Sequence, residues 1–138
     1  MFLIDTNVIS EMRKGARANP AVRAWFESHP SGWYYLSVLT LGEIRKGIEQ
    51  IRVKDLGKAN AFENWLMEII LSYERRILGI GIDEADIWGR MNSGEKLPEV
   101  DSLIAATAEF HGLTIATRNV KDYSRSGVNV INPWEYEG

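Results

Sequence analysis

Three consecutive apolar residues, Phe2-Leu-Ile4, run straight into Asp5, Thr6 and Asn7, after which Val8, Ile9 and Met12 resume at helical spacing. That pattern predicts a short strand, a polar turn and a helix. A strand this apolar must be covered on both faces, as a central strand of a parallel sheet is. The alternation of short apolar runs with helical periods continues along the chain. A helix continues over residues 11–17, fraying at Gly15, and another follows over 21–28 behind Pro20, ended by His29-Pro30-Ser-Gly32. The aromatic run 33–36 reads as a second strand, and 38–51 as a helix with Leu41, Ile44, Ile48 and Ile51 on one face. Residues 55–76 read as a longer helix, 77–82 as a third strand, and 84–92 as a helix capped by Asp83. A further helix runs from Pro98 to His111-Gly112, and 113–116 and 128–131 are the fourth and fifth strands. No repeat, low-complexity segment or linker breaks the pattern, so residues 1–138 read as one domain.

Strands alternating with helices argue for right-handed βαβ units and an α/β fold of three layers, α/β/α. In such a sheet the turns after the strands open on one edge, where ligands bind. Acids far apart in sequence fall at those places. Asp5 ends the first strand, and Glu43 lies in the first turns of the helix after the second. Asp101 lies near the start of the helix feeding the fourth strand, and Asp122 in the turn after it. Each also has a structural explanation. Asp5, Thr6 or Asn7 can cap the first helix, and Thr40-Leu-Gly-Glu43 fits a capping box. Ser37 is the better cap there, which would release Glu43. Asp101 suits a helix dipole, and Asn119-Val-Lys-Asp122 fits another local cap. Together the four are harder to dismiss, because two carboxylates about 4 Å apart repel by about 4 kcal/mol at an effective dielectric of 20. Converging acids make sense with a divalent cation between them. Oxygen ligands without His or Cys suit Mg²⁺ or Mn²⁺, and such ions activate water and neutralise a phosphodiester.

Composition narrows the chemistry. The chain has no Cys, which removes disulfides, thiolate zinc sites and a Cys nucleophile together. His29 in a loop and His111 at a helix end read as capping or dipole residues. Gly79-Ile-Gly81 lacks the third glycine of a dinucleotide fingerprint, and there is neither a P-loop nor a G-x-S-x-G elbow. No membrane-length apolar run or signal-peptide pattern is present, so a cytoplasmic protein is expected. The net charge of −3 argues at first against a polyanionic partner. Setting aside the four site acids, however, leaves a slightly positive chain. Arg13, Lys14, Arg17, Arg45, Lys46, Arg118, Lys121 and Arg125 fall near the same edge, as a phosphate backbone would want, although any one of them also suits a solvated helix face. Thr6, Asn7, Thr117 and Asn119 are candidates to orient ligands or water from behind.

The stretches Leu3-Ile-Asp5-Thr-Asn7-Val-Ile-Ser-Glu11, Ser37-Val-Leu-Thr-Leu-Gly-Glu43-Ile-Arg-Lys-Gly47, Asp101-Ser-Leu-Ile-Ala-Ala106 and Thr117-Arg-Asn-Val-Lys-Asp122-Tyr resemble the four motifs of PIN-domain ribonucleases. More narrowly, they resemble the VapC/FitB-type toxins of bacterial toxin–antitoxin pairs, in order and over nearly the whole chain. The resemblance implies that Asp5, Glu43, Asp101 and Asp122 form an acidic quartet for Mg²⁺ or Mn²⁺, with Thr6 and Asn119 supporting it. It also implies a five-stranded parallel sheet, an RNA substrate, a homodimer and a small antitoxin protein in the acidic groove. The last motif departs from many relatives by offering Asn119 where they have an acid.

Without the resemblance, the residues support a divalent-metal acidic site, and RNA cleavage is what the resemblance adds. An aspartate-based phosphatase would use Asp5 as nucleophile but wants a second Asp where Asn7 stands. A non-catalytic RNA-binding PIN-like module is the other class, against which the four retained acids argue. A phospho-receiver would need paired acids beside its first strand, and these are missing. Trp25, Phe26, Trp65 and Trp88 are expected to be packing residues, with a dimer contact as the other role for Trp88.

Overall fold

The computed structural model describes residues 1–94 and 98–138. β1 (Phe2–Ile4) enters α1 (Thr6–Met12), and a 3₁₀ turn over Gly15–Arg17 leads to α2 (Pro20–Glu27). β2 (Tyr34–Ser37), α3 (Val38–Arg52) and α4 (Leu56–Tyr73) follow, then β3 (Ile77–Leu78) and α5 (Ile82–Met91). The chain finishes with α6 (Glu99–His111), β4 (Thr114–Ala116), the short α7 (Val120–Tyr123) and β5 (Val130–Ile131). The five strands form one sheet in the order β3-β2-β1-β4-β5, every pairing parallel.

β1 is central, and the period-2 geometry of a strand shows how both its faces are covered. Phe2 and Ile4 face the layer of α1 to α4, where Val8, Val22, Trp25, Ile44, Ile48 and Leu66 are buried. Leu3 faces the opposite layer, among Ile104, Ala105 and Ala108 of α6, Leu113, Ile115 and Tyr123. Three layers follow from that alternation. Among the described residues no helix is long and apolar enough to cross a membrane.

Several boundaries differ from the sequence reading, each for a local reason. The third strand covers only Ile77–Leu78 of the expected 77–82. It is an edge strand paired with β2 alone, and glycines at 79 and 81 weaken a ladder with a single neighbour. Asp83 is not the cap of α5. Gly81 stands at the N-cap, and the buried Glu84 reaches back to accept its N–H at 3.3 Å. Trp33 lies in a 3₁₀ turn before β2, 39% exposed, rather than in the strand. The helix expected to run on to residue 17 ends at Met12, and Gly15 takes φ +60° in the turn after it. Gly112 ends α6 at φ 66°, a left-handed conformation that glycine adopts without strain.

The tryptophans and Phe26 behave mainly as packing residues. Trp25 is buried against Phe2, Phe26 and Tyr34, with ring centroids 4.9, 5.1 and 5.3 Å away. Trp65 and Phe62 line the α3/α4 face. Trp88 is part-buried and donates its indole N–H to Ser102 Oγ at 2.9 Å, locking α5 on α6.

Candidate active site

Asp5 is the centre of the site because the sheet puts it there. Its backbone N–H donates to Ala116 O at 2.9 Å, so pairing with β4 continues one residue beyond the strand. The side chain then lies at the carboxyl edge, only 8% exposed. A carboxylate so nearly buried needs donors. Oδ1 accepts the N–H of Thr6 at 2.9 Å, the capping role considered from sequence. Oδ2 accepts three side-chain donors: Thr117 Oγ1 at 2.7 Å, Tyr123 Oη at 3.3 Å and Asn7 Nδ2 at 3.4 Å. Capping therefore occupies one oxygen and the other is held from behind.

The supporting residues interlock. Thr117 is fully buried, its position set by its N–H bond to Ile131 O at 3.0 Å across to β5. Asn7 Nδ2 also reaches Thr117 Oγ1 at 3.2 Å, while Asn7 Oδ1 accepts the N–H of Arg118 at 3.0 Å. Thr117 Oγ1 accepts the Asn119 N–H at 3.0 Å, and Asn119 O in turn accepts the Asp122 N–H at 3.0 Å. Asn119 thus works through its backbone, shaping the turn that carries Asp122. Two chain segments, 5–7 and 117–123, are stitched into one polar unit.

Glu43 arrives from α3. Ser37, not Thr40, caps that helix: its Oγ accepts the Leu39 N–H at 3.0 Å. The capping-box alternative for Thr40 and Glu43 therefore falls. Thr40 Oγ1 is buried with no hydrogen-bond partner, and Glu43, exposed, accepts from Thr6 Oγ1 at 2.8 Å. That bond brings the third acid beside Asp5. Asp101, in the first turn of α6, is part-buried. Its carboxyl is held above the usual carboxylate range, first by burial and then by the charges of Asp5, Asp122 and Glu43, while the Tyr123 hydroxyl works the other way. Four acids from four segments are thus within electrostatic reach of one another.

The donor set fits a hard divalent cation by chemistry, since all four groups are carboxylates. Among the described residues no three acidic or His side chains are gathered tightly enough to hold an ion as they stand. That suits Mg²⁺ better than a fully dehydrated ion, because Mg²⁺ is held through one or two carboxylates and keeps several waters.

The basic residues divide into engaged and available ones. Arg45 grips Glu63 with two bonds at 2.6 and 2.5 Å and meets Glu49 at 3.1 Å, tying α3 to α4. Lys14 pairs with Glu11 at 2.9 Å. Arg13 lies over the Phe62 ring at 4.0 Å, and Arg118 over Trp134 at 5.0 Å, each charge still exposed. Lys121 is exposed on α7, and Lys46 lines a groove of about 550 Å³ with Glu43, Gly42, Gly47 and Val100. His29 packs among Phe2, Trp25 and Trp33, and His111 Nε2 sits 3.4 Å from Glu84, so neither imidazole joins the acids.

Tyr123 is the site residue that sequence reasoning missed. It follows Asp122 in the fourth motif, yet an aromatic residue in a short helix reads as core, and its ring is indeed 1% exposed in the layer under α6. Burial and the charges of Asp5 and Asp101 push its phenol far above the ordinary value, keeping it a donor.

Comparison with known proteins agrees with this geometry. The PIN domain family matches residues 2–125. The chain is 36% identical to the VapC ribonuclease Y4jK of Sinorhizobium fredii, the match covering 98% of this chain and 99% of that protein. It is also 36% identical to the toxin FitB of Neisseria gonorrhoeae, over 97% of this chain and 99% of that one. The crystal structure of FitAcB from Neisseria gonorrhoeae contains a chain that superposes with a TM-score of 0.87 at 35% identity, covering 98% of this chain and 99% of that chain.

Proposed function

The chain belongs to the PIN domain family, and on that premise we propose that it is a divalent-metal-dependent endoribonuclease, the toxin of a toxin–antitoxin pair. The observation that supports this most is the meeting of Asp5, Glu43, Asp101 and Asp122 at the carboxyl edge of the sheet, registered in the upward displacement of the Asp101 carboxyl by the other three. Asp5 and Asp101 would hold Mg²⁺ or Mn²⁺, with Glu43 and Asp122 as further acidic contacts. When bound, the ion supplies Lewis acidity, which lowers the pKa of water and neutralises charge on the phosphodiester.

The chain's own residues do the rest. Thr117, Asn7 and Tyr123 fix Asp5 by donating to Oδ2, and Thr6 fixes Glu43. The attacking water gives its hydroxyl to phosphorus in line with the departing oxygen, which receives the proton. A carboxylate beside the water, Glu43 or Asp122, takes that proton first. Among the basic residues, Lys46, Lys121, Arg118 and Arg13 have exposed charges for RNA phosphates, whereas Arg45 and Lys14 would have to exchange a carboxylate partner. An antitoxin protein occupying the acidic groove, a homodimeric state and action in the cytoplasm complete the reading. They rest on the motif resemblance and on the names of the relatives.

The test is cleavage of total cellular RNA by the purified chain with Mg²⁺, Mn²⁺ or EDTA, beside Asp101→Asn. Cutting that needs the ion and vanishes in the variant is the expected result. Equal cutting by Asp101→Asn would remove the assignment. A folded wild type that cuts nothing would put the RNA-binding module ahead.

A further inference from the structure

Tyr123 sits at the bottom of the acidic site with its ring packed among Leu3, Ile104, Ala105 and Ile115. Its hydroxyl is the one donor to Asp5 that comes from the core layer beneath the sheet rather than from the loops at its edge. The distance to Asp5 Oδ2, 3.3 Å, is long for an O–H···O bond, whose usual length is about 2.7–2.8 Å. A phenol has a single proton. A hydroxyl drawn toward two carboxylates at once cannot close fully on either, and Asp101 is the second acid it serves. We propose that Tyr123 is a positioning residue whose hydroxyl, shared between Asp5 and Asp101, holds these two carboxylates at working separation before a divalent cation arrives.

The inference rests on the reading of Asp5 and Asp101 as cation ligands. Without the hydroxyl, two mutually repelling acids would be free to swing apart, and the cation would have to gather them. Because the phenol approaches from the buried side, a cation entering from solvent need not displace it. The hydroxyl therefore aids binding rather than competing with it. Removing a partner that orients a metal ligand typically costs 10- to 100-fold in affinity.

Tyr123→Phe keeps the ring and deletes only the hydroxyl. The experiment follows Mn²⁺ uptake by the electron paramagnetic resonance of the free ion, with wild type, Tyr123→Phe and Asp101→Asn side by side. The Mn²⁺ concentration giving half of the maximal thermal shift is a second readout, which requires only that the loaded form be folded. The expected result is a dissociation constant raised roughly tenfold or more in Tyr123→Phe. Its RNA cleavage would recover to within about twofold of wild type once Mn²⁺ saturates, a rescue that a purely structural defect would not show. An unchanged Mn²⁺ affinity in both readouts would overturn the inference alone. A wild type that takes up no Mn²⁺, or an Asp101→Asn protein that takes it up equally, would overturn the metal-site reading and this inference with it.

Discussion

Asp101 shows how one residue trades stability for a site. Its carboxyl stands above the usual range because burial and three neighbouring acids disfavour its charge. A raised folded-state pKa means that the folded chain holds this proton more tightly than the unfolded chain does. The stabilising contribution is complete below the unfolded pKa and is lost as pH rises through the folded value. At neutral pH the charged Asp101 is thus a burden on the fold. In EDTA at pH 7, Asp101→Asn should melt higher than wild type by roughly 2–5 °C, and the gap should close as the pH is lowered through the carboxylate range. Scanning calorimetry across pH decides it, and a variant that melts lower at pH 7 refutes the crowding of charge at this position. The same substitution should abolish cleavage, so that stability and activity move in opposite directions.

At the level of elements, α3 carries both a structural and a chemical residue within two turns. Ser37 closes β2 and caps the helix through the Leu39 N–H, leaving Glu43 turned toward Thr6. The two roles should therefore separate on mutation. Ser37→Ala is expected to lower stability by about 1 kcal/mol in urea denaturation, with cleavage well below the midpoint changed less than about threefold. Glu43→Gln is expected to leave the urea midpoint near that of wild type and to reduce metal-dependent cleavage by roughly 10- to 100-fold. If the two variants lost activity in equal measure, Glu43 would be acting through the helix rather than at the site. The short strands tell a related story. β3 and β5 make only two-residue ladders because they are edges, while β1 between two neighbours extends its pairing to Asp5 itself.

For the whole molecule, the site is a point where three parts of the structure meet: the end of β1, the start of α3 and the segment from β4 through α7 with α6 beside it. A cation bound there would link them, and binding to the folded state alone stabilises it. Millimolar Mg²⁺ should raise the wild-type thermal midpoint by a few degrees and should not raise that of Asp5→Asn; equal shifts in both would mean that the ion acts elsewhere. Much of this was legible beforehand. Hydrophobic periodicity is a local property of the chain, so the central apolar strand, the alternation of strands and helices, and the caps at Ser37 and Gly112 could be read from residues close together in sequence. The parallel sheet then obliged Asp5, Glu43, Asp101 and Asp122 to share an edge. The ends of β3 and the cap of α5 were not legible, because a two-residue edge strand depends on which neighbour it lacks. Nor was the division of the basic residues, since the partners of Arg45 come from one turn away in α3 and from the facing helix α4. Tyr123 is the clearest case: locally it is one more core aromatic, and only the packing of α7 under β1 and β4 brings its hydroxyl to a carboxylate 118 residues earlier. Sequence by itself determined the elements and the chemical character of the site, because both follow from local patterning and residue type. Tertiary structure decided which donors hold which oxygen, because hydrogen bonds act over about 3 Å and answer to proximity in space, not in sequence.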